Sequence, residues 1–269
     1  MSPARLERRQ SPVMTRLLNI STYRFAELDD LPALRERLEA SAGAAGLKGT
    51  ILLAGEGINL FLAGPEGALR EWVAQALHAD PRFAGLETKD SFSESMPFRR
   101  LKVKIKREII RMNHPRIRPQ QGRAPALAPA TLARWIAQGH DDAGRPIALL
   151  DTRNAFEVDA GTFAGAHDWR LERFSDFPAA FDDRRAELEG KTVVSFCTGG
   201  IRCEKAALFM QERALPGVLQ LEGGILGYFA ATEGAAPGWQ GRCFVFDERE
   251  TLDAGLAPRV PADEALAAG

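Results

Sequence analysis

The stretch Cys197-Thr198-Gly199-Gly200-Ile201-Arg202 has the residue types and spacing best suited to chemistry in this chain. It follows the apolar run KTVVSFC (191–197) and leads into a helical pattern over 202–214. An apolar strand that gives way to two glycines and a helix puts its last residue at the carboxyl end of a parallel sheet, where such sheets bind ligands. The glycines let the loop curl, so the backbone N–H groups of Thr198 to Arg202 point at one spot. The helix N-terminus adds its positive end there. Those donors favour an anion, and a thiol among them gives up its proton easily. The pattern predicts Cys197 as an activated, partly exposed nucleophile, against the blander reading of a buried structural cysteine. Arg202 braces the loop or adds positive charge. Cys203 opens the helix and has two readings: a thiol that resolves an oxidised Cys197 as a disulfide, or a packing residue. Cys243, in GRCFVF, sits in apolar company and reads as inert.

Two other stretches bear on function. Residues 99–118 carry nine basic side chains, opposed only by Glu108. Among them Arg99, Arg100, Lys102, Lys104, Lys106 and Arg107 fall in or beside the run RRLKVKIKREIIRM (99–112). Period-two alternation puts Lys102, Lys104 and Lys106 on one strand face. That face can follow a phosphate backbone, with steep salt dependence, or it can be a solvated, lysine-guarded sheet edge. The turn Gly55-Glu56-Gly57-Ile58-Asn59 needs its glycines for backbone reasons. It does not need Glu56 or Asn59, which either face an interdomain cleft or serve the turn.

Composition narrows the class. With 269 residues, 45% hydrophobic, the chain can bury a substantial core and is long enough for two domains. A net charge of −1 confines any nucleic-acid affinity to a local patch. Three cysteines make no disulfide framework, and the odd count fits a reducing cytoplasm. No apolar run approaches the roughly 20 residues of a membrane helix, so no membrane association is expected. There is no zinc-type cysteine spacing and no GxGxxG fingerprint, so neither a metal nor a flavin is expected. With four histidines in the chain, a two-His, one-carboxylate iron site built around His140-Asp141-Asp142 is set aside.

The elements that must position these residues fall into two groups. Residues 15–113 read as a domain: strand 17–25, helix 28–43 with Asp29 or Asp30 as cap, a hairpin over 48–64, helix 65–80 and strand 99–112. The order β-α-β-β-α-β predicts an α+β ferredoxin-like sandwich. Residues 114–130, rich in proline, read as a linker. In 131–250 the runs 146–151, 191–197 and 217–224 predict buried parallel strands, with helices at 129–139, 175–189 and 202–214. That is a doubly wound α/β domain. Residues 1–14 read as a disordered lead rather than a signal peptide, and 251–269 as a tail.

The loop C-x4-R resembles the active-site loop of rhodanese domains. LLDTRNAFEV (149–158), GTFAGAHDW (161–169) and LEGGI (221–225) agree with the same pattern, with Thr162 where histidine is usual. The loop has the rhodanese length, which fits a persulfide, rather than the longer phosphatase length. Together CTGGIRCEKA (197–206), LLAGEGINLFLAG (52–64), PFRRLKVKIKREII (97–110) and GRCFVFDER (241–249) resemble the bacterial rhodanese-domain tRNA uridine(34) hydroxylases. The resemblance spans about 15–250. It implies oxygen-dependent conversion of the wobble uridine to 5-hydroxyuridine, molecular oxygen as co-substrate, an electron donor, and tRNA, through its anticodon loop, as partner. It implies Cys197 as the essential thiol and tRNA contact for the basic patch. Asp151 and Arg153 come from a neighbouring strand end, where an ion pair either holds the rim of the site or is purely structural; for Asp151 the structural reading is preferred. Two further readings remain: a thiosulfate or persulfide sulfurtransferase, and a non-catalytic RNA-binding module on a rhodanese scaffold.

Overall fold

The computed structural model describes residues 16–259. The lead expected at 1–14, and the tail from 260 on, lie outside the described residues. The first domain runs β1 (Leu17–Phe25), α1 (Leu31–Ala44), β2 (Lys48–Ala54), β3 (Gly57–Pro65), α2 (Glu66–Trp72), β4 (Lys89–Ser93) and β5 (Leu101–Ile105). Its sheet has the order β4-β1-β3-β2-β5. β3 lies antiparallel to both β1 and β2, and β4 antiparallel to β1. The ferredoxin-like expectation holds, but one strand is reassigned. The last strand of the βαββαβ core is Lys89–Ser93, and the cationic strand Leu101–Ile105 is an extra edge strand parallel to β2. At the start of α1, Asp30 occupies the cap position without capping, because its carboxylate pairs with Arg82.

Alternation along the strands gives this sheet two unlike faces. Leu18, Ile20, Ile51, Leu53, Ile58, Leu60 and Leu62 pack with Leu34 and Leu38 of α1 and Leu69 and Trp72 of α2 into one core. Each fully buried side chain of this kind contributes about 1.5–3 kcal/mol. The intervening residues, among them Asn19, Ser21, Tyr23, Thr50 and Asn59, face away from the helices and line a cavity against the second domain.

The second domain comprises β6 (Ala126–Leu127), α3 (Pro129–Gln138), β7 (Ile147–Asp151), α4 (Ala155–Ala160), β8 (Gly161–Phe163), β9 (His167–Asp168), α5 (Phe177–Arg184), β10 (Thr192–Phe196), α6 (Ile201–Glu212), β11 (Val218–Leu221) and α7 (Gly224–Ala231). Three short strands follow: β12 (Trp239–Gly241), β13 (Cys243–Phe244) and β14 (Thr251–Leu252). The main sheet, β6-β11-β10-β7-β9, is parallel throughout. Successive residues of its central strands enter opposite cores. Ala148, Leu150 and Val193 pack with Phe177, Phe181, Phe209 and Met210 of α5 and α6. Leu149, Val194 and Phe196 pack with Leu132, Trp135, Ile225 and Phe229 of α3 and α7. Helices on both faces make this the doubly wound domain that the apolar runs predict. Within the proline-rich stretch 114–130, Ile117 and Ala124 are buried in the first of these cores and Ala126–Leu127 forms the sheet edge. Leu252, just past 250, is buried in the other.

Candidate active site

β10 ends at Phe196, and α6 starts at Ile201 with Gly200 as its N-cap at φ 101°. Between them Cys197 is held from several sides. The Gly200 N–H donates to its sulfur at 3.2 Å, and the backbone N–H groups of Arg202 and Cys203 reach it too. The Cys197 and Thr198 carbonyls accept from the N–H groups of Ile225 and Leu226 at 2.9 and 3.0 Å, so α7 clamps the loop from below. That approach requires Gly224, where an added Cβ would lie 2.4 Å from the Cys197 carbonyl oxygen. Burial alone would push the Cys197 thiol up; the neighbouring Cys203, the Arg202 charge and the backbone donors outweigh it, and the thiol ionises well below its usual range. Of the loop's N–H groups, that of Gly200 donates to the sulfur itself. The partial exposure expected of Cys197 is not found. The residue is fully buried, because the first domain lies over the loop: a Cβ added at Gly200 would meet the Tyr23 hydroxyl at 3.1 Å.

The supporting residues sort themselves by partner. Arg202 makes a two-pronged ion pair with Glu157 at 2.5 and 2.7 Å. The Glu157 carboxyl is disfavoured by burial but held below the usual range by that guanidinium. Thr198 also hydrogen-bonds to Glu157, at 3.4 Å. Asp151 and Arg153 do form an ion pair, at 2.7 Å, but both side chains are completely buried. Arg153 also donates to the Gly161 carbonyl, and Thr162 to Asp151. The pair therefore braces the turn beneath the loop and does not form a rim, because its partners all come from the domain's own interior. Cys203 is buried, donates its thiol to the Gly200 carbonyl at 2.9 Å, and has its pKa raised by burial and by Cys197. Burial pushes the Cys243 thiol up to about 12.

A cavity of about 460 Å³ lies between the domains. Cys197, Thr198, Gly199, Ile201 and Arg202 line one side, and the helix-free face of the first sheet lines the other. Asn59 lines it, with its side-chain amide on the Ile109 carbonyl at 3.4 Å. Glu56 sits outside the cavity, holding the Ile109 N–H and Lys205 at the domain junction. Lys89 is a half-buried cation lining the cavity and has no ion-pair partner among the described residues. Burial lowers its pKa, and the Cys197 charge pulls it back up. In the basic patch, Lys102 and Lys104 share a face of β5, while Lys106 lies one residue past the strand's end. Arg99 is paired with Glu248 at 2.9 Å, and Arg100, Lys104, Lys106 and Arg107 are exposed. His140, Asp141 and Asp142 form a structural turn whose carboxylates bind Thr192, Arg145, Arg134 and Trp135.

Two family models match the chain: residues 17–109 match the UPF0176 acylphosphatase like domain, and residues 129–231 the rhodanese-like domain. The tRNA uridine(34) hydroxylase of Bordetella petrii is 64% identical over 245 residues, which cover 91% of this chain and 96% of that protein. Its counterpart in Variovorax paradoxus is 59% identical over 255 residues, covering 95% and 96%. That of Cupriavidus taiwanensis is 56% identical, covering 91% and 86%. The chain belongs to the tRNA uridine(34) hydroxylase family. In this member of the family the loop is tied to both domains by residues that spacing alone does not single out. Tyr23 of β1 donates to Glu204 at 2.8 Å, and Arg123 reaches the same carboxylate at 3.3 Å. Lys205 is buried and bridges Glu56 and Glu108 at 2.8 and 2.7 Å. Lys205, the fifth residue of α6, carries no signal in the spacing. Glu157 lies within the quoted motif LLDTRNAFEV, while nothing in the sequence marks Lys89. The arrangement places an easily ionised sulfur at the wall of a cavity lined by both domains.

Proposed function

We propose that this chain hydroxylates uridine 34 of tRNA at C5, with Cys197 as the reacting thiol and molecular oxygen as co-substrate. The observation that carries this reading is the placement of Cys197. Its sulfur favours the thiolate and borders a cavity whose volume lies within the roughly 300–1,000 Å³ of small-molecule sites. The chain belongs to a family whose members are named for the uridine they hydroxylate. The base must leave the anticodon stack to reach a buried sulfur.

The chemistry follows from the groups at hand. The Cys197 thiolate adds to C6 of the uracil, and the displaced electron pair moves to C5 and O4. Lys89 meets the negative charge at O4. C5 takes one oxygen atom from molecular oxygen and loses its proton, and expulsion of the thiolate from C6 restores the ring. The second oxygen atom leaves as water, with two protons and two electrons from a two-electron reductant. The anticodon loop approaches through the cationic side of the molecule, where Arg99, Arg100, Lys102, Lys104, Lys106 and Arg107 meet its phosphates. The work belongs in the cytoplasm, with the tRNA.

The test is nucleoside mass spectrometry of tRNA from cells lacking the protein, complemented by wild type or by Cys197→Ser. The 5-hydroxyuridine family of nucleosides is expected only with wild type, and isotopically heavy oxygen gas is expected to label it. Restoration by Cys197→Ser removes the cysteine from the mechanism. Unlabelled product removes molecular oxygen. Absence of the activity, together with transfer of sulfur from thiosulfate to cyanide through Cys197, makes the chain a sulfurtransferase.

A further inference from the structure

Phe156 and Phe246 are two of the three large apolar side chains that stand exposed among the described residues, at 49% and 48%. The third, Ile105, lies on β5. The two phenylalanines come from distant parts of the sequence, α4 and the segment after β13, yet they meet. Their ring centroids are 6.4 Å apart, and both rest edge-on against Phe244, at 5.1 and 5.2 Å. Packing does not account for them, since about half of each remains in solvent. Their location is specific. Phe246 lines the cavity that holds Cys197, and the Arg202 guanidinium lies 6.0 Å from its ring centroid. Phe246 and Phe244 also line a groove that leads from this aromatic cluster to the cationic edge at Arg100 and Lys102. Of the acids in that groove, Asp247 is paired with Arg249 and Glu248 with Arg99, which leaves Arg100 and Lys102 facing Glu250.

We propose that Phe156 and Phe246 form a stacking platform for the unpaired nucleotides that flank uridine 34, with Arg100 and Lys102 holding their phosphates. This rests on the reading of the anticodon loop as substrate and extends it to the neighbours of the reacting base. Drawing one base into a buried chamber strips its neighbours of a stacking partner. Exposed aromatic rings beside cations are what single-stranded RNA uses to recover it. Sequence tolerance follows, because every base has a π-face and the platform offers no hydrogen-bonding edge of its own.

The experiment uses the full chain as Cys197→Ser, so that binding is read without turnover, and an anticodon stem–loop RNA with uridine at 34. The fluorescent base 2-aminopurine occupies position 33 or 35 in turn. The parent is expected to quench one of the two probes on binding. Phe156→Leu/Phe246→Leu keeps the apolar bulk but removes the rings; it is expected to lose the quenching and weaken binding roughly ten- to hundredfold per ring. Phe156→Tyr/Phe246→Tyr is expected to restore both. Wild-type affinity and quenching in the leucine variant overturn the platform while leaving the hydroxylase reading intact. Equal loss in a folded tyrosine variant also overturns it, since the stacking faces are retained. If the parent does not bind the stem–loop while the wild-type chain modifies intact tRNA, the contact lies outside the anticodon loop and the platform is overturned. If the parent binds no tRNA and the wild-type chain modifies none, the substrate reading is overturned along with it.

Discussion

At Cys197, backbone donors, the Cys203 thiol and Arg202 outweigh the cost of burying a charge, so the folded state favours the thiolate. A depressed thiol pKa means that reactivity is fully present above the ordinary value of about 8.5 and persists below it. It is lost only when acid returns the proton. Alkylation of Cys197 by iodoacetamide is therefore expected to stay fast at neutral pH and to slow only in acid; a rate that rises through pH 8.5 would refute the bound thiolate. Lys89 carries the second expectation at this scale. In the proposed mechanism, Lys89→Met removes a cation that acts on the charged state of the substrate. It is expected to lower kcat roughly hundredfold, with little change in KM, whereas Lys89→Arg retains part of the rate. An effect confined to KM would make Lys89 a binding residue only. Cys197 and Arg202 were legible in the sequence because four intervening residues and two glycines define the loop locally. Lys89 was not, because its relation to the sulfur exists only after one domain folds over the other.

The first turn of α6 does more than start a helix. Its side chains go three ways: Arg202 inward to Glu157, Glu204 to Tyr23, and Lys205 to Glu56 and Glu108. The glycines before and below it have unequal duties. Gly199 has no left-handed backbone, and the nearest atom to an added Cβ is the Ser21 hydroxyl at 3.5 Å. Gly200 and Gly224 sit at φ 101° and 64°, and Gly224 has no room at all for a Cβ. Gly199→Ala is thus expected to change stability by less than about 0.5 kcal/mol, while Gly200→Ala and Gly224→Ala each cost at least about 1–2 kcal/mol in denaturant melts. Equal effects at all three would show that the loop relaxes freely. The α/β alternation of the second domain was readable because its strands are buried on both faces and so read as continuous apolar runs. β4 was missed for the opposite reason: in KDSFS only Phe92 turns toward the core, and the face toward the cavity is polar. The cationic run LKVKI alternated better and took β4's place in the reading.

At the scale of the whole molecule, the site has two owners. The second domain supplies the sulfur and the first supplies the ceiling, and Lys205 fastens one to the other from a position that is 1% exposed. Lys205→Met leaves Glu56 and Glu108 without their shared cation. It is expected to cost roughly 3–5 kcal/mol and to speed hydrogen exchange at the Ile109 and Ile110 amides; unchanged exchange there would mean that the junction is held by other contacts. Both domain types could be inferred from patterns along the chain, but their docking could not, because Tyr23, Glu56 and Glu108 look like ordinary surface residues until a partner arrives. The ceiling has one more effect. An easily ionised thiol in open water is the group that peroxide attacks first, on a ladder whose upper rungs are irreversible. Buried as it is, the sulfur of Cys197 can be reached only by way of the cavity, so fewer peroxide molecules meet it than would meet a surface thiol. What the first domain adds is therefore durability: cover for an easily ionised sulfur.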